Sequence, residues 1–516
     1  MHTRIRLVAL LAALLAGLGV LVGLAAPASA ASAVNDDHVT TGGFRPAPIA
    51  WQACPELPTD PTVRCGTVRV PIDWARPHGA TFEVAVAKRS ATDPSHLVGP
   101  LFINPGGPGG SGVDFALGAN HFFSPNILAH FDIIGWDPRG VARSSPVQCS
   151  TTLLSQAPFP VPANRADFAA LLAYNARLGA DCRAHTGPLF DHVDTLSGVR
   201  DVDAVRAALG EHRISYYGVS YGTLIGQEFA EQFPDRIRAM VIDSNMDHSL
   251  GTEAFLRTEA VTDQDAFEQF VAWCDRDSFC VLHGQDVNAI WENLMHRADA
   301  GTLTIPGGTT PLTWFQLVSV AVGDLYGPSW STLAAQIAQL NVQPMAKAAA
   351  APALAPNPLA VFCEDWSLPV SGFQQMRQLF AESNSVAPQL RVSSLGWGVW
   401  TSCLNFPVSV NNPQHVLRVN TDFPLLEINS RHDPATAYAW AVDDAHQLGR
   451  HARFVTYLGW GHGAYPHSAC TIGTVDSYLI SRTLPAVGTA CPAVPPPDPM
   501  AAIASPSLPA PNPIGF

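Results

Sequence analysis

Residues 214–222 read Ile214-Ser215-Tyr216-Tyr217-Gly218-Val219-Ser220-Tyr221-Gly222, and a helix-forming run continues to residue 233. A six-residue β-rich stretch therefore leads through a glycine-flanked serine directly into a helix. Strand, sharp turn and helix in that order place the Ser220 hydroxyl at the end of a sheet, where a nucleophile would stand. The glycines have a steric task, because they let the chain turn without a side chain striking the flanking helix. In a chain of this composition Gly-x-Ser-x-Gly arises by chance about 0.2 times, so its context carries the weight. A strand-to-helix turn without chemistry is the alternative.

The surroundings extend the pattern. β-rich runs at 67–72, 82–88, 101–104, 131–136, 214–219 and 237–243 alternate with helical stretches, which predicts an α/β fold. Leu101-Phe102-Ile103 and Ala239-Met240-Val241-Ile242 are apolar at consecutive positions, as parallel strands covered on both faces must be. The first two runs predict an antiparallel edge. From 251 to 395 the strands give way to helices and loops, and seven of the twelve Trp lie between 251 and 400. Strand patterns resume at 424–428 and 453–458, with a helix pattern at 435–448 between them. The expectation is a mostly parallel sheet flanked by helices, with core segments at 45–250 and 396–491 and an inserted helical lid at 251–395. A tail at 492–516, containing Pro495-Pro496-Pro497, is too rich in proline for a regular element.

Composition narrows the function. The 516 residues are 47% apolar and 14% charged, with 43 acids against 29 bases and a formal charge of -14. Polyanion binding needs clustered Lys and Arg, and this chain offers no such footprint, so nucleic acid is not an expected partner. Arg4 and Arg6 precede an apolar run at 7–24 that exits through Ala28-Ser29-Ala30, the pattern of a signal peptide over residues 1–30. An uncleaved anchor is the alternative, since 18 apolar residues approach the ~20 that span a bilayer. With cleavage the mature protein is secreted and has no stable membrane insertion. In an oxidising compartment the even set of ten cysteines reads as disulfides. Neighbours suggest Cys54 with Cys65, Cys149 with Cys182, Cys274 with Cys280, Cys363 with Cys403 and Cys470 with Cys491, although spacing leaves the connectivity open. No His-Glu-x-x-His helix or paired Cys-x-x-Cys motif is present, so no metal is expected.

A serine hydroxyl needs a base to take its proton, and the base needs a carboxylate to orient it. Asp433, in Ser430-Arg431-His432-Asp433-Pro434, and His462, in Gly459-Trp460-Gly461-His462-Gly463, each follow a predicted strand at the end where α/β sheets form their ligand crevice. The order Ser, Asp, His is that of α/β-hydrolases. His446, His451 and His467 are nearby rivals without glycines on both flanks, and Asp243, ending the preceding core strand, is the rival acid. An oxyanion hole requires fixed donors. The stretch Asn104-Pro105-Gly106-Gly107-Pro108-Gly109-Gly110-Ser111-Gly112 supplies a loop whose backbone can approach a substrate, so Gly107 and Tyr221 are the expected donors. A phosphate loop would end in Gly-Lys-Ser/Thr, and this one has no Lys.

Those residues, with Gly135-Trp136-Asp137-Pro138-Arg139-Gly140, Cys363-Glu364-Asp365, residues 433–436, and Gly461-His462-Gly463 followed by Cys470 and Cys491, resemble the secreted tripeptidyl aminopeptidase family of actinobacteria, relatives of proline iminopeptidases within the α/β-hydrolases. The resemblance spans most of the mature chain. It implies Ser220 as nucleophile, Asp433 as acid, His462 as base, a helical lid, no cofactor, and release of short peptides from substrates with a free N-terminus. Two departures stand out: Pro105 begins a motif that in iminopeptidases usually opens with His, and Pro434-Ala435-Thr436-Ala437 replaces a Val-Thr-Pro ending. An exopeptidase must also hold a terminal ammonium against a carboxylate in a partly dry pocket. Glu364 and Asp365 are the candidates, with turn capping or bonds to backbone as the competing role. A carboxylesterase or lipase, a proline iminopeptidase, and a non-catalytic secreted binding protein on the same fold are the alternative functions.

Overall fold

The structure is a computed structural model that describes residues 39, 40, 43–304, 310–342 and 353–496. The expected signal peptide and the tail beyond residue 496 lie outside the described residues. The strands are β1 (Val63–Pro71), β2 (Thr81–Arg89), β3 (Gly99–Asn104), β4 (Phe131–Trp136), β5 (Gln148–Ser150), β6 (Ile214–Val219), β7 (Ile237–Asp243), β8 (Leu354–Pro356), β9 (Leu425–His432), β10 (Ala452–Trp460) and β11 (Ala490–Cys491). Nine of them form one sheet in the order β1-β2-β4-β3-β6-β7-β9-β10-β11, while β5 and β8 pair separately. β2 runs antiparallel to both of its neighbours, and every pair from β4 to β11 is parallel.

The consecutive apolar residues of the central strands serve two cores, one on each face. Leu101, Ile103, Ile133, Tyr217, Val219, Ala239 and Val241 pack into one. Phe102, Ile134, Tyr216, Met240 and Ile242 pack into the other. Successive side chains on a strand point to opposite faces, so both faces must be covered. Helices α1 (Gly112–Leu117) and α2 (Pro125–His130) cover the first face together with a late helix, residues 469–481. The second face takes the helices at 195–209 and 221–232 and the helical region that follows β7.

In full, the remaining helices are α3 (Thr151–Leu154), α4 (Arg165–Thr186), α5 (Thr195–Leu209), α6 (Tyr221–Gln232), α7 (Thr252–Arg276), α8 (Val287–Asp299), α9 (Trp314–Tyr326), α10 (Trp330–Val342), α11 (Leu359–Asp365), α12 (Phe373–Val386), α13 (Ser394–Cys403), α14 (Tyr438–Leu448) and α15 (Ala469–Ser481). Seven of these lie between β7 and β9. Helix α13 runs across residue 396 to Cys403, and the sheet resumes only at Leu425. The expected strand at 424–428 continues to His432, and the helix expected from 435 starts at Tyr438, because Asp433 and the three residues after it form the loop described below. Among the described residues no helix is long and apolar enough to cross a membrane.

Register brings the catalytic candidates to one edge. Asn104 pairs with Gly218, Val219 with Asp243, and Asp243 with Ile428. The loops leaving β3, β6, β7, β9 and β10 therefore emerge side by side.

All ten cysteines are bridged, as Cys54–Cys65, Cys149–Cys182, Cys274–Cys280, Cys363–Cys403 and Cys470–Cys491. Cys363–Cys403 joins α11 to α13 and closes a loop of sequence separation 40. By chain entropy its removal lowers stability by about 3–4 kcal/mol. Urea unfolding of a C363S/C403S variant checks this, with a steeper denaturant slope because the freed chain expands when unfolded; a loss under about 1 kcal/mol would show that the unfolded chain is already restrained without the bridge.

Candidate active site

Ser220 sits between β6 and α6 with φ 58° and ψ -129°. A left-handed φ at a residue with a side chain costs about 1–3 kcal/mol and persists only where its surroundings enforce it. Here they do. The Ser220 amide donates to the Asp243 carbonyl at 3.0 Å, and its own carbonyl accepts from the Thr223 amide at 2.8 Å and hydroxyl at 2.6 Å. A Cβ on Gly218 would fall 2.4 Å from the Gly222 carbonyl oxygen, and one on Gly222 would fall 2.7 Å from the Asn104 carbonyl oxygen. No larger residue fits at either place.

The loop after β3 lies against this turn. A Cβ on Gly106 would approach the Val219 oxygen to 2.4 Å and the Tyr221 nitrogen to 2.8 Å. Asp137, following β4, accepts from the Ser111 hydroxyl at 2.5 Å and the Val113 amide at 3.1 Å, which anchors the far end of the loop to the start of α1. Arg139 in the same stretch forms a buried bidentate pair with Asp201 at 2.8 and 2.7 Å. Among the described residues the amides of Gly107 and Tyr221 donate to no protein group. Unspent donors of this kind are what an oxyanion requires.

His462 Nδ1 faces both oxygens of Asp433, at 2.9 and 3.1 Å, and both residues are buried. Asp433 also accepts from the amides of Ala435 at 2.8 Å and Thr436 at 3.0 Å and from the Thr436 hydroxyl at 3.1 Å. Burial alone would raise its pKa, but the charge and hydrogen bond of His462 hold the carboxyl below its ordinary value. Asp433 is therefore ionised and fixes the ring with its proton on Nδ1. Nε2 is buried and has no hydrogen-bond partner, Ser220 included. Such bonds are often open before substrate binds.

Asp243, the rival acid, has a different task. Its carboxylate accepts from the amides of Ala464 at 2.7 Å and Tyr465 at 2.9 Å and from the Tyr217 hydroxyl at 2.7 Å. Burial pushes its pKa up to about 6 against these bonds. It ties the loop behind His462 to the strand beside Ser220, as does Ser244 Oγ, which accepts from the Gly463 amide at 2.8 Å. Of the rival histidines, His467 is half-buried and stacked on Tyr457, its pKa depressed to about 4 by desolvation, and His446 is exposed on α14. The flanking glycines are explained by geometry: Gly461 and Gly463 have φ of 93° and 80°. A Cβ on Gly461 would meet Pro328 at 2.7 Å. The end of α9 closes over this turn, with the Tyr326 carbonyl accepting from the His462 amide at 2.7 Å and the two rings 5.0 Å apart.

Glu364 and Asp365 are both fully buried at the end of α11. Asp365 accepts from the amide and hydroxyl of Thr195 at 2.8 and 2.5 Å and from the Tyr221 hydroxyl at 2.6 Å. It caps α5 and steadies the residue after Ser220. Glu364 Oε2 accepts from the amides of Val193 and Asp194, both at 3.0 Å, while Oε1 has no partner. Burial and the nearby Asp194 and Asp365 push Glu364 up to about 10 and Asp365 to about 7.

A second acidic pair escaped the sequence reading. One face of α7 lies along the acid and base loops: Thr258 accepts from Trp440, Thr262 donates to the Asp433 carbonyl at 2.6 Å, Asp265 meets His432 at 2.7 Å and Gln269 accepts from Trp460. Beside that face Glu259 and Asp263, one turn apart, are 2% and 0% exposed. Glu259 accepts from Ser393 at 2.8 Å, whereas neither oxygen of Asp263 has a partner. Desolvation raises both well above the carboxylate range, with the field of Asp263 and Asp433 adding to Glu259 and that of Asp433 adding to Asp263, while the nearby Ser393 hydroxyl works the other way on each. In sequence they lie among Glu253, Asp265 and Glu268, indistinguishable from a solvated helix face.

Comparison with known proteins identifies the family. The family model for the α/β-hydrolase fold matches residues 99–467. Serine protease Hip1 of Mycobacterium tuberculosis is 30% identical over 478 residues, covering 86% of this chain and 91% of that protein. The tripeptidyl aminopeptidase of Streptomyces lividans is likewise 30% identical, covering 86% and 87%. Carboxylesterase B of M. tuberculosis is 31% identical over 530 residues, covering 93% and 98%. The chain is a serine hydrolase of the α/β-hydrolase family and belongs with the tripeptidyl aminopeptidases and their serine protease relatives.

Proposed function

We propose that this protein is a secreted serine exopeptidase that releases short peptides, tripeptides foremost, from free amino termini. The observation that carries the reading is the buried Asp433–His462 pair at 2.9 Å, on the same sheet edge as a serine held at φ 58°. In this mechanism Nε2 of His462 takes the Ser220 proton as Oγ attacks the scissile carbonyl. The amides of Gly107 and Tyr221 receive the negative oxygen. His462 then passes its proton to the departing amine, and water hydrolyses the acyl-enzyme. Ten bridged cysteines support an oxidising destination.

Recognition of a terminal ammonium falls to carboxylates that the fold leaves unsatisfied. Asp365 is saturated by Thr195 and Tyr221, and Glu364 keeps a single oxygen without a partner. Asp263, with both oxygens unpartnered and Asp433 close enough to perturb it, is better placed. An incoming cation would let Glu259 and Asp263 ionise in a dry environment, where a charge-assisted bond is strong.

Replacing Ser220 with Ala lowers turnover by about 10⁴-fold or more while leaving the circular dichroism and Tm unchanged; substantial residual activity in the folded variant would reject this mechanism. The relative named carboxylesterase B supports a second reading, ester hydrolysis with the same machinery. Paired assays separate them: an exopeptidase loses at least about 100-fold in kcat/KM when its peptide is N-acetylated, whereas an esterase prefers simple esters and ignores acetylation. Asp263→Asn raises KM for unblocked peptides by about 10- to 100-fold, the value of one charged hydrogen bond, and spares neutral esters; equal effects on both substrates would make Asp263 a packing residue.

A further inference from the structure

On the far side of Asp365 from Tyr221, a second cluster has no part in the chemistry above. Glu228 and Glu231 lie one turn apart on α6, His248 follows β7, and His415 belongs to the segment between α13 and β9. The main chain already joins the two histidines, since the His415 amide donates to the His248 carbonyl at 2.9 Å. Their rings stand 5.7 Å apart.

The proton positions create a conflict. His248 Nε2 lies 2.7 Å from the Asp365 carbonyl oxygen, an acceptor only, so this nitrogen carries the proton. In the neutral ring Nδ1 then bears a lone pair, and it faces Glu228 Oε1 at 3.5 Å. Both side chains are nearly inaccessible, at 5% and 3%, and His248 Nδ1 has no hydrogen-bond partner. A lone pair buried against a carboxylate is repulsive unless a proton or a metal ion stands between them, and Nδ1 makes no hydrogen bond to Glu228. His415 is placed differently. Its Nδ1 donates to the Pro413 carbonyl at 3.3 Å, and Nε2 hydrogen-bonds to Glu231 Oε2 at 2.7 Å with Glu228 Oε1 3.9 Å away, so an ion there would displace the proton on Nε2.

We propose that Glu228, His248 and His415 form a three-ligand site for a divalent transition ion of the zinc type. One ligand atom from each of these residues already lies within 4.8 Å of the other two. Tetrahedral zinc sets its nitrogen and oxygen ligands about 3.3 Å apart. From 3.5 and 3.9 Å, the contacts of His248 Nδ1 and His415 Nε2 with Glu228 Oε1 need to shorten by about 0.2 and about 0.6 Å, within reach of side-chain rotation. Glu231 supplies a second negative charge beside the ion. The Asp365 carbonyl and the Pro413 carbonyl supply the outer hydrogen bonds that fix both ring tautomers, as metal-bound histidines require. Three protein ligands and a water complete the tetrahedron, and the ion clasps the segment containing His415 to α6, the helix that begins beside Ser220.

The test uses the tag-free secreted protein with ZnCl2 and CoCl2 as probes. Elemental analysis after extensive dialysis finds close to one zinc per chain, CoCl2 replacing zinc gives the intense visible bands of a tetrahedral site, and ZnCl2 added to chelator-treated protein raises Tm by at least about 3 °C. His415→Ala, altering a side chain that is 40% exposed, leaves the protein folded and removes all three signals. Less than 0.1 zinc per chain with no Tm response in the wild-type protein, or signals that survive in the His415 variant, would overturn the site. Peptidase activity is not the readout, so failure here leaves the catalytic proposal standing.

Discussion

The backbone of Ser220 is the constraint on which the rest of the site depends. A serine with φ 58° has no low-energy reason to exist, and it is held by backbone packed at distances that exclude a Cβ at Gly106, Gly218 and Gly222. Because main chain meets main chain there, the hydroxyl, the Tyr221 amide and the Gly107 amide are positioned by the sheet and not by mobile side chains. The same economy extends to the histidine. Asp243 spends its carboxylate on the amides of Ala464 and Tyr465, so the loop carrying His462 is registered against the strand next to Ser220.

Buried acids divide into two kinds around this frame. Asp243, Asp365 and Asp433 are answered by amides, hydroxyls or an imidazole, and each fixes a neighbouring loop. Both oxygens of Asp263 and of Glu427, and one oxygen of Glu364, have no hydrogen-bond partner among the described residues. An unpaired buried carboxylate carries a desolvation cost of several kcal/mol when ionised, so it holds a proton or waits for a cation.

The sheet was legible from local pattern because its central strands are short apolar runs bounded by turn residues; β4, β6 and β7 have the limits expected of them. The triad candidates were legible because strand ends, glycines and chain order are all local features. What lay hidden depends on tertiary approach. Glu259 and Asp263 look like a wet helix face until α7 is laid over the Asp433 loop, and Tyr326 is one of many aromatics until the end of α9 closes on His462. β5 and β8 are three residues each and pair across some two hundred positions, too short for periodicity to reveal. Glu364 and Asp365 stand out in the sequence by their charge alone, and only burial against the start of α5 shows the backbone amides they hold.

The central claim is that Ser220, His462 and Asp433 act as one unit, and covalent labelling tests it without assuming a substrate. A fluorophosphonate reacts only with a serine whose proton is being removed. Peptide mapping by mass spectrometry should find one label per chain, on Ser220, with the labelling rate falling by orders of magnitude in His462→Ala and Asp433→Asn. Labelling at another serine, or at Ser220 with an unchanged rate in the His462 variant, would contradict it.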